Sequence, residues 1–209
     1  MRRTMVLTSL MIPLLIATLS MGQASPAEQL QQLFLTQEEL NATTKELGLG
    51  EDWVIRTIDH LNPEPEGAKD RTAVATYVNT SVNTSTEIAL IVGLLDFQTR
   101  EMADRFLNLN LNAKQVQSSR DLQAEAKDNP DLLPDPLKQE ADKVLLLSLE
   151  GGQQQLLLQR GNLLVFLRTP KEGTGALQEN QLIQIANRQF TKILDFCKNA
   201  EVKPTFCTR

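Results

Sequence analysis

Between residues 144 and 167 three apolar runs follow one another almost without interruption: Val144–Leu149, Gln153–Leu158 and Leu163–Leu167. The gaps hold Gly151-Gly152 and Gly161-Asn162, residue types that tolerate the positive φ of two-residue hairpin turns. This spacing predicts a three-stranded antiparallel meander. The chain then supplies a cover for it. Leu182, Ile183, Ala186, Phe190, Ile193, Leu194 and Cys197 fall on one face of a helix, with Gln181, Gln184, Asn187 and Lys192 elsewhere. A helix patterned in this way must lie across a sheet.

The first half repeats the theme with weaker signals. Residues 25–34 are polar and Gln-rich, a flexible lead-in with some helical character. Thr36 followed three residues later by Glu39 is a capping box, so a helix runs from there to Leu47 and stops at Gly48 and Gly50. Asp52–His60 has the β-branched and aromatic content of a strand, ended by Pro63 and Pro65. Arg71–Val78 alternates with a period of two, and a polar turn follows from Asn79 to Thr84. Glu87–Phe97 is nearly continuous apolar sequence, read as a central strand buried on both faces, with Gly93 marking a bulge or a close backbone approach. Thr99 caps a helix carrying the stripe Met102, Ala103, Phe106 and Leu107. From Lys114 to Lys138 the chain is least apolar and holds Pro130, Pro134 and Pro136, which predicts a short helix near 120–127 and then a loop. Pro170–Gly175 is read as a second flexible loop. The predicted class is α+β, an antiparallel sheet with helices packed on it, in the order α-β-β-β-α-β-β-β-α. The predicted organisation is a signal peptide over 1–24, the lead-in over 25–34, and one α+β domain over 35–209.

The start of the chain reads as an address. Arg2 and Arg3 precede an apolar run from Met5 to Met21, and Gly22-Gln23-Ala24 places small residues before a cut ahead of Ser25, the layout of a secretory signal peptide. An uncleaved anchor is the alternative, since the run approaches the ~20 residues needed to span a bilayer. No Cys lies near the cut, which closes the lipoprotein route. The 209 residues carry 21 basic and 26 acidic side chains, a net charge of −5. Without residues 1–24, and hence without two arginines, the balance becomes −7, an acidic surface suited to solubility outside the cell. With 4% aromatic residues and no clustered basic ones, nucleic acid is not an expected partner.

Two cysteines, Cys197 and Cys207, lie near the end of the chain. In an oxidising compartment they are candidates for a disulfide that ties the tail to the last helix. The alternative is that Cys197 is a small buried hydrophobe and Cys207 a free thiol. Their spacing is not the C-x-x-C of a redox site.

Two stretches resemble known proteins. Leu158-Gln159-Arg160-Gly161-Asn162-Leu163-Leu164-Val165-Phe166, followed by a helix with Ala186-Asn187-Arg188-Gln189, is similar to secreted bacterial α/β proteins in which a strand, an R-G-N turn and an apolar strand precede a long closing helix. Leu35-Thr36-Gln37-Glu38-Glu39-Leu40, with Trp53 about a dozen residues on, resembles their first helix and strand. Such proteins are grouped with the PsbP-like sandwich and with extracellular sensor domains of bacterial serine/threonine kinases. The resemblance covers most of 35–197, although the disulfide framework of the kinase sensors is missing. It implies a domain that binds a solute or a partner, and it transfers no catalytic residue.

Reactive chemistry is sparse. The only imidazole is His60, beside Asp59, at a strand end where local hydrogen bonding is its ordinary use. No G-x-S-x-G elbow is present, and Cys197 on an apolar helix face is a poor thiolate. Acidic residues are plentiful at Asp59, Glu64, Glu66 and Asp70 and again at Asp128, Asp131 and Asp135. As a glycosidase-like pair they require convergence on one cleft; otherwise they are solvated loop charges. The second group lacks the pattern of an EF-hand, and no Gly-rich phosphate loop occurs. One His and two Cys give too few ligands for most zinc or haem sites. No cofactor, metal ligand or catalytic residue is assigned. Sequons occur at Asn41, Asn79 and Asn83; glycosylation of the last two would mark an exposed turn. Trp53 and Tyr77 are assigned to the core. The loops Pro63–Asp70, Asn129–Pro136 and Pro170–Gly175 are expected to border a crevice.

These features lead us to expect a secreted or periplasmic, non-enzymatic binding or sensor-like domain for a small ligand or an envelope protein, with no membrane span after signal cleavage. The alternatives are an extracytoplasmic carboxylate-dependent hydrolase and a structural accessory subunit of an envelope complex. A binding module requires a concave pocket with few titratable groups. A hydrolase requires two carboxylates facing one cleft with displaced pKa values, and an accessory subunit a large exposed apolar patch.

Overall fold

The computed structural model describes residues 24–80, 88–169 and 177–207. The leader, apart from Ala24, lies outside the described residues, as do Asn83 and the Pro170–Gly175 loop. Among the described residues seven strands form one sheet: β1 (Trp53–Asp59), β2 (Thr72–Asn79), β3 (Ile88–Asp96), β4 (Val116–Asp121), β5 (Lys143–Leu149), β6 (Gln153–Arg160) and β7 (Leu163–Arg168). Their spatial order is β1-β2-β3-β7-β6-β5-β4, and every pairing is antiparallel. The sheet is therefore two meanders joined where β3 pairs with β7. After β3 the chain leaves the middle of the sheet, crosses one face as helix α3 (Arg100–Leu111), and begins the second meander at the far edge.

The C-terminal meander forms where its glycines predict it. Arg160 pairs with Leu163 across Gly161-Asn162, with Gly161 at φ +57. The other connection is one residue longer than expected: Leu149 pairs with Gln153, so Glu150 joins Gly151 and Gly152, both at positive φ. Side chains alternate along these strands. Val144, Leu146, Leu156, Leu158, Leu163, Val165 and Leu167 enter the larger core on one face, while Leu145, Leu147, Leu149, Leu157 and Leu164 enter a smaller core on the other. β3 serves both, with Leu90, Val92 and Leu94 on the first face and Leu95 on the second.

The first face carries helices α1 (Pro26–Gln31), α2 (Gln37–Glu46), α4 (Leu122–Glu125), α5 (Asp135–Glu140) and α6 (Glu179–Asn199). Helix α6 is the main cover. Leu182, Ile183, Ile185, Phe190, Ile193 and Leu194 are buried on it, each contributing about 1.5–3 kcal/mol by leaving water. The capping box at α2 is present, with Thr36 Oγ1 accepting from Glu39 N at 3.2 Å and Glu39 Oε2 accepting from Thr36 N at 2.7 Å. Trp53 and Tyr77 are both buried.

Three expectations require correction. The predicted order of elements omits β4 and α5, whereas the short helix expected near 120–127 is present as α4. Strand β4 is an edge strand exposed over residues 117–121, so no apolar alternation announces it. In α5, Pro134 sits at the N-cap and Pro136 in the first turn, where a missing N–H costs nothing, and Leu137 is buried beneath it. Residues 25–34 are not a flexible lead-in. Ser25 caps α1, and Ala27, Leu30, Leu33 and Phe34 are buried. The fully buried Gln189 of α6 holds this segment, accepting from Leu35 N at 3.2 Å and donating to Leu33 O at 2.7 Å, while Tyr77 donates its hydroxyl to Leu35 O at 2.9 Å.

The tail is fastened at several points. Cys197 and Cys207 form a disulfide, and Phe206 is buried against Phe196 with ring centroids 6.0 Å apart. Thr205 donates to Asp96 Oδ2 at 3.1 Å. Arg71 pairs with the same carboxylate, and Asn162 Nδ2 donates to its other oxygen at 2.8 Å. Burial raises the Asp96 pKa, against the pull of Arg71 and Thr205.

Candidate functional site

Helix α3 is alone among the described helices in covering the second face, and it covers only part of it. Thr99 caps its start, accepting from Met102 N at 3.3 Å. Ala103 and Leu107 are buried against the sheet. Asp104 fastens this half, accepting from Lys143 Nζ at 2.8 Å and Gln159 Nε2 at 3.0 Å. Burial acts to raise the Asp104 pKa, but the bonds from Lys143 and Gln159 outweigh it and hold the carboxyl below its ordinary value.

Beyond Asp104 the helix and the sheet part, and a cleft of about 150 Å³ opens between them. Leu95 of β3, Leu157 of β6, and Leu164 and Phe166 of β7 line it from the sheet; Phe106 and Leu107 line it from α3, and Leu61 closes one side. The polar lining consists of Asn110, Gln115, Gln155 and Arg168. Asn110 Nδ2 is taken by Phe106 O at 2.9 Å. Arg168 Nε donates to Gln153 Oε1 at 3.2 Å, and among the described residues the guanidinium has no carboxylate partner. No carboxylate lines the cleft among those residues.

Gly93 shapes the floor. It pairs with Phe166, and a Cβ placed on it would lie 2.0 Å from Phe166 Cε1. The ring rests on bare backbone. Of the two alternatives the sequence left open for Gly93, the close approach is the one found, since the registers of β3 with β2 and β7 run through it without a shift.

The candidates nominated from sequence lie elsewhere. His60 is exposed, with its Nδ1 3.0 Å from Thr72 O and its backbone N bonded to Asp59 Oδ1 at 2.7 Å. Glu64 braces its own loop, accepting from Asp70 N at 3.0 Å and Thr72 Oγ1 at 2.7 Å. The backbone bond from Asp70, followed by the Thr72 hydroxyl, holds its pKa below the ordinary value. Of the expected border loops, the first contributes Glu66 to a small hollow beside Met102 and Phe106. The second contributes Asn129 and Asp131 to a shallow depression at the start of α6. Neither lines the cleft beneath α3. Asn79 does not mark an exposed turn: it is buried, with Nδ2 donated to Leu49 O at 3.0 Å. Asn41 clamps the start of β1, donating to Trp53 O at 3.1 Å and accepting from Trp53 N at 2.9 Å.

Among the described residues no three His, Cys, Asp or Glu side chains are grouped to hold a metal ion, and no helix is long and apolar enough to cross a membrane. No protein-family model matches the chain, and neither a curated protein nor a solved structure matches it.

Proposed function

We propose that this chain is an exported, non-enzymatic binding or sensor-like domain that takes a small, largely apolar ligand into the cleft beneath α3. The observation that carries this is the composition of the cleft: an apolar floor, a rim of amides, and one cation. Pockets of this make-up bind by burying apolar surface and orienting the ligand with a few polar groups. The hydrolase alternative needs two carboxylates facing one cleft, and none lines this one among the described residues. Export is supported by the leader-like first 24 residues together with a disulfide between Cys197 and Cys207, a bond that persists in oxidising compartments. The likeness to PsbP-like sandwiches and kinase sensor domains belongs to the same proposal. An antiparallel sheet closed by a long helix supports it, while β4 and α5 go beyond that pattern.

The test is a titration of the mature protein with 1-hexanol, followed residue by residue through backbone amide NMR shifts. Saturable shifts confined to β6, β7 and the second half of α3, with millimolar affinity, are the expected outcome. Shifts scattered over the surface, or none in those elements, overturn the proposal.

A further inference from the structure

Along β7 the residues that face the cleft change character in one direction: Leu164, then Phe166, then Arg168. Successive members of this stripe stand about 7 Å apart, because every second residue of a strand shares a face. Directly across β6 the partners are Leu157 opposite Phe166 and Gln155 opposite Arg168. The cleft is thus apolar at one end and hydrogen-bond-donating at the other. At the donating end Gln153 occupies Nε and Nη2 of Arg168 and leaves Nη1 without a protein partner among the described residues. The Gln155 side chain has no partner there either. Cross-strand neighbours have Cβ atoms about 5 Å apart, a separation that the two oxygens of one carboxylate can bridge.

We propose that the ligand of this cleft is a small monocarboxylic acid, its carboxylate held by Arg168 and Gln155 and its apolar body laid over Phe166 and Leu157. This rests on the binding proposal above and adds the ligand's charge and orientation. A planar guanidinium recognises a carboxylate more strongly than it does a neutral oxygen. The single positive charge, unbalanced by any carboxylate of the described residues in the lining, fits one negative charge on the ligand. The cleft's 150 Å³ is the size of an engineered cavity that holds benzene, so the apolar body amounts to about six carbons.

The experiment compares hexanoate with 1-hexanol by the same NMR titration, on the wild-type protein and on Arg168→Met. Hexanoate is expected to bind the wild type about tenfold or more tighter than it binds the variant, the loss of a charged hydrogen bond. Binding of 1-hexanol, which carries no charge, is expected to change far less than that of hexanoate. Acidifying the wild-type sample through the carboxyl pKa of hexanoate gives an independent measurement that needs no variant: the affinity for the acid should fall to that for the alcohol. Equal binding of hexanoate and hexanol, or hexanoate binding untouched by R168M, overturns the carboxylate anchor and leaves the cleft as an apolar site. Failure of both probes to move the cleft amides overturns the binding proposal itself.

Discussion

Phe166 packs against Gly93 across the β3–β7 pair, so close that a methyl group on the glycine would fall 2.0 Å from the ring. The contact joins the two meanders and sets the floor of the cleft at once. Gly93→Ala is expected to destabilise the fold by about 1–3 kcal/mol, as overpacking does, and to push the ring into the cleft. Chemical denaturation of G93A, F166L and the double variant checks this. The double variant should recover most of the loss, since the two side chains share one space. Additive losses would show that the ring does not depend on the glycine.

Gln189 is the buried clasp between the closing helix and the first described residues. Replacing it with Leu keeps the volume but strands the amide of Leu35 and the carbonyl of Leu33. Each unsatisfied buried group costs about 1–3 kcal/mol, so with two of them Q189L is expected to lose about 2–6 kcal/mol. Amide hydrogen exchange should locate the loss, with residues 25–35 opening before the sheet. Unchanged protection there would assign the clasp no role.

The disulfide closes a loop with a sequence separation of 10. Removing it by Cys197→Ala with Cys207→Ala should cost about 3 kcal/mol through the greater freedom of the unfolded chain. Thr205 and Phe206 should then gain mobility, measurable by NMR relaxation, while the meander keeps its shifts. Global unfolding at ambient temperature would mean that the tail holds more than its own end.

Glu39 belongs to the α2 cap and also meets Lys192 of α6 at 2.5 Å. Burial acts to raise its pKa, but the hydrogen bonds from Lys192 and Thr36 outweigh that and hold it below the ordinary 4.5. A carboxyl lowered in the folded state contributes stability above its unfolded pKa, and that contribution disappears as the pH falls through the folded value. Lys192→Met should therefore weaken the protein near neutral pH, by under about 1 kcal/mol for a partly exposed pair. The difference from wild type should vanish in acid. Urea midpoints at the two pH values decide it; an equal gap at both would place the effect in packing rather than charge.

The parts of the fold that carry their own local chemistry were legible in the sequence. Gly161-Asn162 fixes a hairpin whatever surrounds it, Thr36 and Glu39 cap a helix from within, and the apolar stripe of α6 demands a sheet to lie on. What escaped depends on distant neighbours. Gln117, Ser118, Ser119 and Arg120 become a strand because β5 offers an unpaired edge, and nothing in those polar residues says so. The prolines around residue 135 look like a loop until Leu137 is seen filling a gap in the core. In residues 25–34 the glutamines hide four buried apolar positions, Ala27, Leu30, Leu33 and Phe34. The cleft was illegible for the same reason: its walls come from β3, α3, β6 and β7, and only the topology assembles them. Gly93 was the single advance signal, a glycine where a continuous apolar strand had no local need for one.

Both margins of the sheet carry an irregularity. The register shifts between Ile55 and Thr57 in β1 and between Val116 and Ser118 in β4. An open sheet ends in backbone amides and carbonyls ready to template another chain, and such kinks, together with exposed Arg56 and Arg120, deny an incoming strand a straight run of partners. Straightening either margin would leave an uninterrupted row of unpaired amides and carbonyls open to another chain.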